Sequence, residues 1–409
     1  MVYLYTFVIG ICTAADFSIL TQISKSSRIS LGDLNLGTGL MQLMQGWCNL
    51  IWQHIAMAYG RRLVYVSTVP LSHGAGQWFA HRMILGMLCS SVEVLPELSV
   101  QDLFFAHERG HYIALYAFVL FGSNFIAPLL AGFIADGAGW QWVVYFATII
   151  LAVCSVITFF FLEETIYFRN ATDGLEVWQY LTIPIFFPNI LWAGLLYGSN
   201  LALYSVINGT ISDIIGSSPY NFRPTIIGVA YLSPFIFGDA VSFWADKLAD
   251  SLAIKLAKRH GGVREPEQRL WILSVSAVMA SGGLLRWGVG ASQEVHYMVL
   301  IIGIGITKFG VLCASAVSLA YATDCFGAMA GESFVSIMII RNTIGFAFSY
   351  AITPWTHAMG LRDCFISVSF FCTYTSLVVI FRGESWRRSS AKRYWEFVSV
   401  QNEATLATS

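Results

Sequence analysis

The sequence predicts an all-α protein that crosses a membrane many times. Of its 409 residues, 56% are hydrophobic and 11% are charged, whereas an ordinary soluble domain has roughly 25% charged residues. Apolar runs recur along the chain, each of about 20 residues, which is the length that a helix needs to cross a bilayer. Helix is the expected state of these runs because a lipid-exposed backbone has to pair its polar groups within its own segment.

Eleven apolar runs are long enough to span a bilayer as helices. A shorter apolar piece at 63–72 follows Arg62 and is too short to cross alone. A polar stretch at 163–179 divides the runs into two bundles, and a second at 246–269 marks the middle of the second bundle. In chain order, the eleven runs cover residues 2–22, 36–58, 76–102, 111–135, 139–162, 187–215, 224–246, 271–289, 296–321, 331–353 and 362–382.

Basic residues set the predicted orientation and domain limits. Six of them lie in the polar stretch at 246–269 and five lie at the C-terminal end, between residues 382 and 393, and basic residues favour the cytoplasmic side of a membrane. We therefore place both segments in the cytoplasm. The predicted domains are an N-terminal helix bundle at 1–162 with a short third helix at 63–72, a cytoplasmic linker at 163–181, a C-terminal helix bundle at 182–383 and a cytoplasmic tail at 384–409.

Composition also limits the partners. The formal net charge of −1 gives no reason to expect a nucleic acid. The eight cysteines are scattered and form no C-x-x-C pair, so neither a disulfide nor a metal framework is expected. We predict no cofactor.

Six phrases, taken in order, resemble one known family. They are "FFAHERG", "GSNFIAPLLAGFIADGAGWQWVVYF", "FLEETIYFR", "EPEQRLW", "RNTIGFAFSYAITPW" and "KRYWEFV". Together they resemble the fungal drug:proton antiporter-like branch of the major facilitator superfamily, over nearly the whole chain. The resemblance implies a multidrug-type transporter with the major facilitator fold of two six-helix bundles and with both chain ends in the cytoplasm.

Several short elements are similar to signatures of that family. Arg82 with Gly86, in "RMILG", resembles the Arg-x-x-x-Gly element of the fourth helix, whose arginine faces the central cavity and is linked to proton movement. "GSNFIAPLLAG" resembles the antiporter signature of the fifth helix, where small residues and a proline permit close helix approach and a bend. Including "YGRR" and the HERG turn, the implied structural signature residues are Gly60, Arg61, Arg62, Gly86, Glu108, Arg109, Gly122, Pro128 and Gly132.

The chain departs from the family pattern after "YGRR". A full span is expected between Arg62 and the helix that bears Arg82, but only residues 63–76 remain before that helix. As a helix they would cover about 21 Å of the roughly 30 Å hydrocarbon core. We therefore predict a truncated third helix that ends near Val69, followed by irregular chain to about Gly76, and a protein that transports poorly or not at all.

"HERGH", His107 to His111, points to a different class of protein. It fits H-E-x-x-H, which on a helix sets two histidines on one face to bind zinc, with the glutamate as general base. The resemblance already accounts for the first four residues as a cytoplasmic turn, and Gly110 weakens a helix there. We favour a turn that caps the next helix, in a protein that is not an enzyme; a membrane zinc protease is the alternative.

Charged residues inside a bilayer cost free energy and are therefore functional candidates. In the first bundle we assign proton coupling to Asp16, Arg82 and Glu93. Glu93 lies about 16 Å along a helix from Arg82, so the two are not expected to touch. Glu93 and Glu97 share a helix face, which suits either proton exchange or a charge lattice at the cytoplasmic end. Asp16 is either a coupling carboxylate or a structural hydrogen-bond partner.

Polar and aromatic residues of the second bundle predict a substrate cavity. Aromatic rings with a few polar groups make an amphipathic ligand pocket, although each residue alone also suits packing between helices. Lys308 is mid-span as well, and the sequence leaves open whether it is paired. The predicted cavity residues are Tyr197, Asn200, Tyr204, Tyr231, Arg341 and Asn342.

These observations favour a proton-coupled secondary transporter of small organic solutes, which are drug-like compounds or organic cations, working by alternating access. It is expected to act as a monomer in the plasma membrane, with protons, a small-molecule substrate and the lipid bilayer as its partners. The alternative within the family is a non-transporting or impaired relic or sensor.

Overall fold

The computed structural model describes residues 2–27, 29–59, 78–93, 95–96, 99, 109–161, 187–238, 240–241, 270–325 and 330–408. Within these ranges the chain is helical apart from short turns and contains no β-strand, so the predicted all-α class is confirmed. The helices are α1 (Val2–Ala14), α2 (Leu20–Ser27), α3 (Leu31–Tyr59), α4 (Trp78–Cys89), α5 (Arg109–Ala138), α6 (Trp140–Phe161), α7 (Pro188–Gly216), α8 (Pro224–Ala230), α9 (Ile272–Ser292), α10 (Tyr297–Cys325) and α11 (Ala330–Thr408).

Length and composition identify membrane spans among these helices. In the described part of the chain, six helices are long and apolar enough to cross a bilayer, and a bent pair, Val2–Ser18 with Leu20–Ser27, supplies a seventh crossing if it counts as one span. The longest of the six, Ser333–Val378, holds two predicted runs. Gly360 separates them with a φ of 78°, a left-handed conformation that glycine adopts without steric cost. The polytopic membrane class is therefore confirmed.

Three predicted runs are not continuous helices. The run at 2–22 bends by 65° after a 3₁₀ turn at Ala15–Ser18. The run at 76–102 changes to a 3₁₀ turn at Ser90–Glu93, and the run at 224–246 breaks at Tyr231. Prolines explain the last two breaks, because a proline ring clashes with the carbonyl group four residues earlier; these prolines are Pro96 and Pro234.

Other predictions fall outside the described residues. The truncated third helix at 63–72, with its end near Val69, is one of them. The linker at 163–181 and the polar stretch at 246–269 are the others. The domain limits that depend on these segments stay predictions.

Packing groups the described helices into two halves. In the first half, α1 packs on α5 and α6, and α3 packs on α4. In the second half, α7, α9 and α10 pack on one another and on α11. The halves meet where α3 packs on α11 and where α5 packs on α8.

Two glycines allow the close approach of α5 and α8. A Cβ atom at Gly132 would lie 2.5 Å from the carbonyl oxygen of Pro224, and one at Gly228 would lie 2.7 Å from the carbonyl oxygen of Pro128. Any larger side chain would therefore push the halves apart. A Cβ atom at Gly122 would meet only ordinary van der Waals contact.

Candidate functional site

A cavity of about 150 Å³ lies where the two halves meet and forms the centre of the candidate site. Its walls come from α1, α3, α5, α7, α10 and α11, and from the 3₁₀ turns that follow α1 and α4. The wall combines aromatic rings with a few charged groups, as in many amphipathic ligand sites. The aromatic and charged lining residues are Phe17, Glu93, Phe121, Tyr197, Tyr204, Lys308 and Arg341.

An ion pair joins the halves across this cavity. Arg341 on α11 pairs through Nη2 with Oε1 of Glu93, at the end of the turn after α4. Asn342 donates to the other carboxylate oxygen of Glu93 at 3.4 Å. The side chains of Arg341 and Glu93 are 7% and 12% exposed. Glu93, which is predicted for proton coupling, therefore shares one hydrogen-bonded cluster with Arg341 and Asn342, which are predicted for the substrate cavity.

Tyr197 completes the surroundings of Arg341. Nη1 of Arg341 donates to the hydroxyl group of Tyr197 at 3.3 Å, and the guanidinium carbon lies 5.2 Å from the centre of its ring. Nε and Nη2 of Arg341 also donate to Oδ1 of Asn342, at 3.3 and 2.8 Å. The arginine is thus held from three sides, which fits its rigid fork of five N–H donors.

The other two residues predicted for proton coupling, Asp16 and Arg82, form an ion pair apart from the central cavity. Nη2 of Arg82 on α4 pairs with Oδ2 of Asp16, in the turn after α1. The guanidinium carbon lies 4.3 Å from the centre of the Trp78 ring, and Nη1 lies 3.5 Å from the sulfur atom of Met41 on α3. Gly86, one turn further along α4, lets α4 lie against the backbone of α3, because a Cβ atom there would collide with the carbonyl group of Met41.

Asp16 lines a separate, mainly apolar pocket of about 70 Å³ between α1, α2, α4 and α6. The structure therefore brings Asp16 and Arg82 together and keeps Glu93 with another arginine, in agreement with the predicted distance between Arg82 and Glu93. All three predicted coupling residues take part in ion pairs, but the pairs occupy different places.

Lys308 on α10 lies in the wall of the central cavity and is 3% exposed. Its Nζ atom lies 4.1 Å from the ring centre of Tyr204, 5.1 Å from that of Phe125 and 5.5 Å from that of Phe121. Among the described residues it has no ion pair and no hydrogen bond. The sequence places Lys308 in the middle of a span. Its position along the chain does not indicate that three aromatic rings from two other helices surround it.

Two predicted cavity residues point elsewhere. Asn200 accepts a hydrogen bond from the thiol of Cys372 at 3.2 Å and does not line the cavity. Tyr197 and Tyr204 are seven residues apart, nearly two full helical turns, whereas Asn200 is turned about 60° away from Tyr197. Tyr231 donates to Oδ1 of Asn208 at 3.3 Å. It therefore contacts a lining residue without lining the cavity itself.

The sequence analysis did not single out four amide side chains of the lining, which are Gln42, Gln45, Asn124 and Asn208. Nε2 of Gln42 on α3 donates to the hydroxyl group of Ser205 on α7 at 3.4 Å, which is another polar contact between the halves. Amides in apolar runs are the signal that would have found them, because a polar group in a bilayer has to face a partner or a cavity.

The remaining signature residues give less information. Gly60, Arg61, Arg62 and Glu108 lie outside the described residues, and so does His107, the first residue of the H-E-x-x-H motif. Arg109 begins α5. Among the described residues, no group of three His, Cys, Asp or Glu side chains could hold a metal ion.

Comparison with known proteins identifies the family. The Major Facilitator Superfamily model matches residues 2–354. A fungal relative, the MFS-type transporter C1271.10c of Schizosaccharomyces pombe, is 24% identical over an aligned region of 500 positions that covers 98% of this chain and 86% of the relative. Protein HOL1 of Saccharomyces cerevisiae is 22% identical, with 91% of this chain and 83% of that protein covered.

A solved structure shows the same fold. The crystal structure of a D-xylose-proton symporter superposes with a TM-score of 0.68 at 13% identity, covering 93% of this chain and 95% of that one. With the family match over residues 2–354, this likeness confirms the expected fold and sets the protein among membrane transporters rather than enzymes, which overturns the zinc protease alternative. The chain belongs to the Major Facilitator Superfamily.

Proposed function

We propose that the protein is a proton-coupled secondary transporter of small amphipathic organic solutes, acting as a monomer in the plasma membrane. The observation that carries the proposal is the ion pair between Glu93 and Arg341 in the wall of the central cavity.

The pair links protonation to the contact between the halves. The carboxylate of Glu93 is attracted to Arg341 only while it is charged, so a proton that reaches Glu93 weakens the ion pair. Because Glu93 belongs to the first half and Arg341 to the second, this proton loosens one of the polar links that hold the halves together. Rocking of one half against the other exposes the cavity to each side of the membrane in turn.

Asp16 and Arg82 are proposed to serve coupling from within the first half. Their pair fixes the turn after α1 against α4, and the same α4 leads into the turn that ends at Glu93. A change at Asp16 would therefore shift the element that carries Glu93. The structurally similar D-xylose-proton symporter supports coupling to protons on the same fold.

The test measures energy-dependent accumulation. Yeast cells that lack their own drug exporters would express the protein and receive either rhodamine 6G, a cationic dye, or carboxyfluorescein, an anionic one. We expect the accumulation of at least one dye to change and a protonophore to abolish the change. Glu93→Gln should remove the effect at equal surface levels, whereas the matched exposed variant Glu294→Gln should keep it. If neither dye responds to the protein, or Glu93→Gln behaves like the wild type, the proposal is wrong.

A second candidate, an impaired transporter or sensor, is favoured by one observation. The aligned region shared with the S. pombe relative spans 500 positions, more than the 409 residues of this chain, so the relative has residues inside that region without counterparts here. Binding of a solute to the cavity without energy-dependent accumulation would favour this candidate over active transport.

A further inference from the structure

The ammonium group of Lys308 is buried, and no anionic partner for it lies in the described part of the chain. Its side chain is 3% exposed, and among the described residues it forms neither an ion pair nor a hydrogen bond. A buried charge is costly unless it is paired and hydrogen-bonded. The rings of Tyr204, Phe125 and Phe121 attract the ammonium group through their faces, but they do not neutralise its charge.

The cavity itself cannot supply the missing charge. Three charged side chains line it among the described residues, and the carboxylate of Glu93 is already paired with Arg341 and bonded by Asn342. The remaining lining groups are uncharged amides, hydroxyl groups, aromatic rings and aliphatic side chains. One positive charge is therefore left over in a space of about 150 Å³.

Aromatic side chains shape the rest of this space. Phe121 contributes to both the lining and the surroundings of Lys308, and Phe17 and Tyr197 lie along the same cavity. Flat apolar surfaces beside an unpaired cation suit a molecule with an aromatic body and a negatively charged end. A cationic molecule would meet two basic side chains with only one carboxylate, which is already engaged.

We propose that the central cavity binds a small aromatic organic anion, whose carboxylate group pairs with Lys308 and whose ring packs against Phe17, Phe121 and Tyr197. The inference rests on the proposed function only in taking this cavity as the solute site. It names an anion where the sequence alone allowed drug-like compounds or organic cations.

The experiment compares three ligands with one ring system and different charges. Indole-3-acetate is an anion, indole-3-acetamide is neutral and tryptamine is a cation at neutral pH. Binding to the purified full-length protein in lipid nanodiscs is measured by titration calorimetry. We expect indole-3-acetate to bind at least about tenfold more tightly than indole-3-acetamide, as a hydrogen bond to a charged group provides, and tryptamine to bind most weakly.

Variants tie this order to Lys308. Lys308→Met keeps an unbranched side chain of nearly the same length and removes its charge, so the preference for indole-3-acetate over indole-3-acetamide should disappear while the amide binds as before. Lys308→Arg should retain part of the preference. Lys25→Met, which removes an exposed lysine on α2, should leave the order unchanged.

Three results would overturn the proposal: tightest binding of tryptamine, a carboxylate preference that survives in Lys308→Met, or no binding of any of the three ligands. The wild-type order decides the matter even if Lys308→Met fails to fold. Flux in proteoliposomes is measured separately with the same ligands. Selective binding of the anion without flux would contradict the proposed transport function and leave the anion site standing.

Discussion

Both halves of the protein bury an arginine against a carboxylate, but they place the pair differently. Arg82 and Asp16 pair inside the first half, where their side chains are 1% and 15% exposed. Arg341 and Glu93 pair across the two halves, in the wall of the central cavity. A pair within one half keeps its partners while that half moves as a unit, whereas a pair across the halves has to rearrange when they rock. We infer that the first pair mainly stabilises and the second mainly couples.

The outer helices of the two halves differ as well. In the second half, α9 packs on both α10 and α11, and 50% of the residues in its most apolar stretch are buried. In the first half, α6 packs on α1 and α5, and 22% of the residues in its most apolar stretch are buried. Between α6 and α4 lies the apolar pocket that reaches Asp16. This is the half in which the sequence predicts a truncated third helix.

The largest loss of stability is expected when the ion pair inside the first half is broken. Arg82→Met leaves the carboxylate of Asp16 without its partner, and the loss of one member of a buried pair costs about 3–5 kcal/mol. We expect the free energy of unfolding to fall by that amount. The measurement is reversible unfolding in one detergent with added denaturant.

The double variant Asp16→Asn/Arg82→Met is the control, because it removes both charges. It should recover most of the lost stability. A fall of less than about 1 kcal/mol in Arg82→Met, as for an exposed ion pair, would contradict a stabilising role for this pair.

The two ion pairs also show which features could be predicted from the sequence and which could not. Apolar runs predicted where the helices lie, because burial in lipid demands a run of fixed length. Asp16, Arg82, Glu93 and Arg341 were all identified as charged residues inside the membrane, but their pairing depends on how distant helices pack. No spacing along the chain contains that information.

Orientation within a helix was predictable only in part. Tyr197 and Tyr204 are predicted to line the cavity, and both do so. Asn200 is predicted to line it as well, yet it contacts Cys372, because a residue three positions from Tyr197 points to one side of the helix face that Tyr197 and Tyr204 share. Lys308 could be identified as mid-span, but its aromatic surroundings follow from tertiary packing alone.

The next largest loss of stability is expected when the contact between α5 and α8, where the halves meet, is disturbed. Gly132→Ala places a Cβ atom 2.5 Å from the carbonyl oxygen of Pro224, and backbone cannot yield as a flexible side chain does. We expect a loss of about 1–3 kcal/mol in the free energy of unfolding, the usual cost of overpacking, together with slower transport.

Gly137→Ala is the matched control on the same helix, since a Cβ atom there meets nothing within 4 Å. Alanine is preferred to glycine in a helix by about 0.5–1 kcal/mol, so this variant should be slightly more stable than the wild type. Equal effects of the two substitutions would show that close approach at Gly132 is unimportant.

A smaller effect on stability is expected for the pair across the halves. Glu93→Gln leaves Arg341 with hydrogen bonds to Tyr197 and Asn342, so the loss should be about 1.5 kcal/mol, near the value of one hydrogen bond to a charged group. Proton-driven accumulation should nevertheless be lost. A loss of stability as large as that of Arg82→Met would remove the distinction between the two pairs.

The smallest changes in stability are expected for the hydroxyl groups of two tyrosines on one face of α7. The hydroxyl group of Tyr197 accepts a hydrogen bond from Arg341 at 3.3 Å, whereas that of Tyr204 is buried without a partner among the described residues. Tyr197→Phe should therefore cost about 1 kcal/mol of unfolding free energy. Tyr204→Phe removes a polar group that gains nothing in the folded state, so it should be neutral or slightly stabilising. Both substitutions keep the ring, which separates the hydrogen bond from packing. If Tyr204→Phe destabilises as much as Tyr197→Phe, the Tyr204 hydroxyl group has a partner in the membrane, and the polar contacts of the second half extend beyond Arg341.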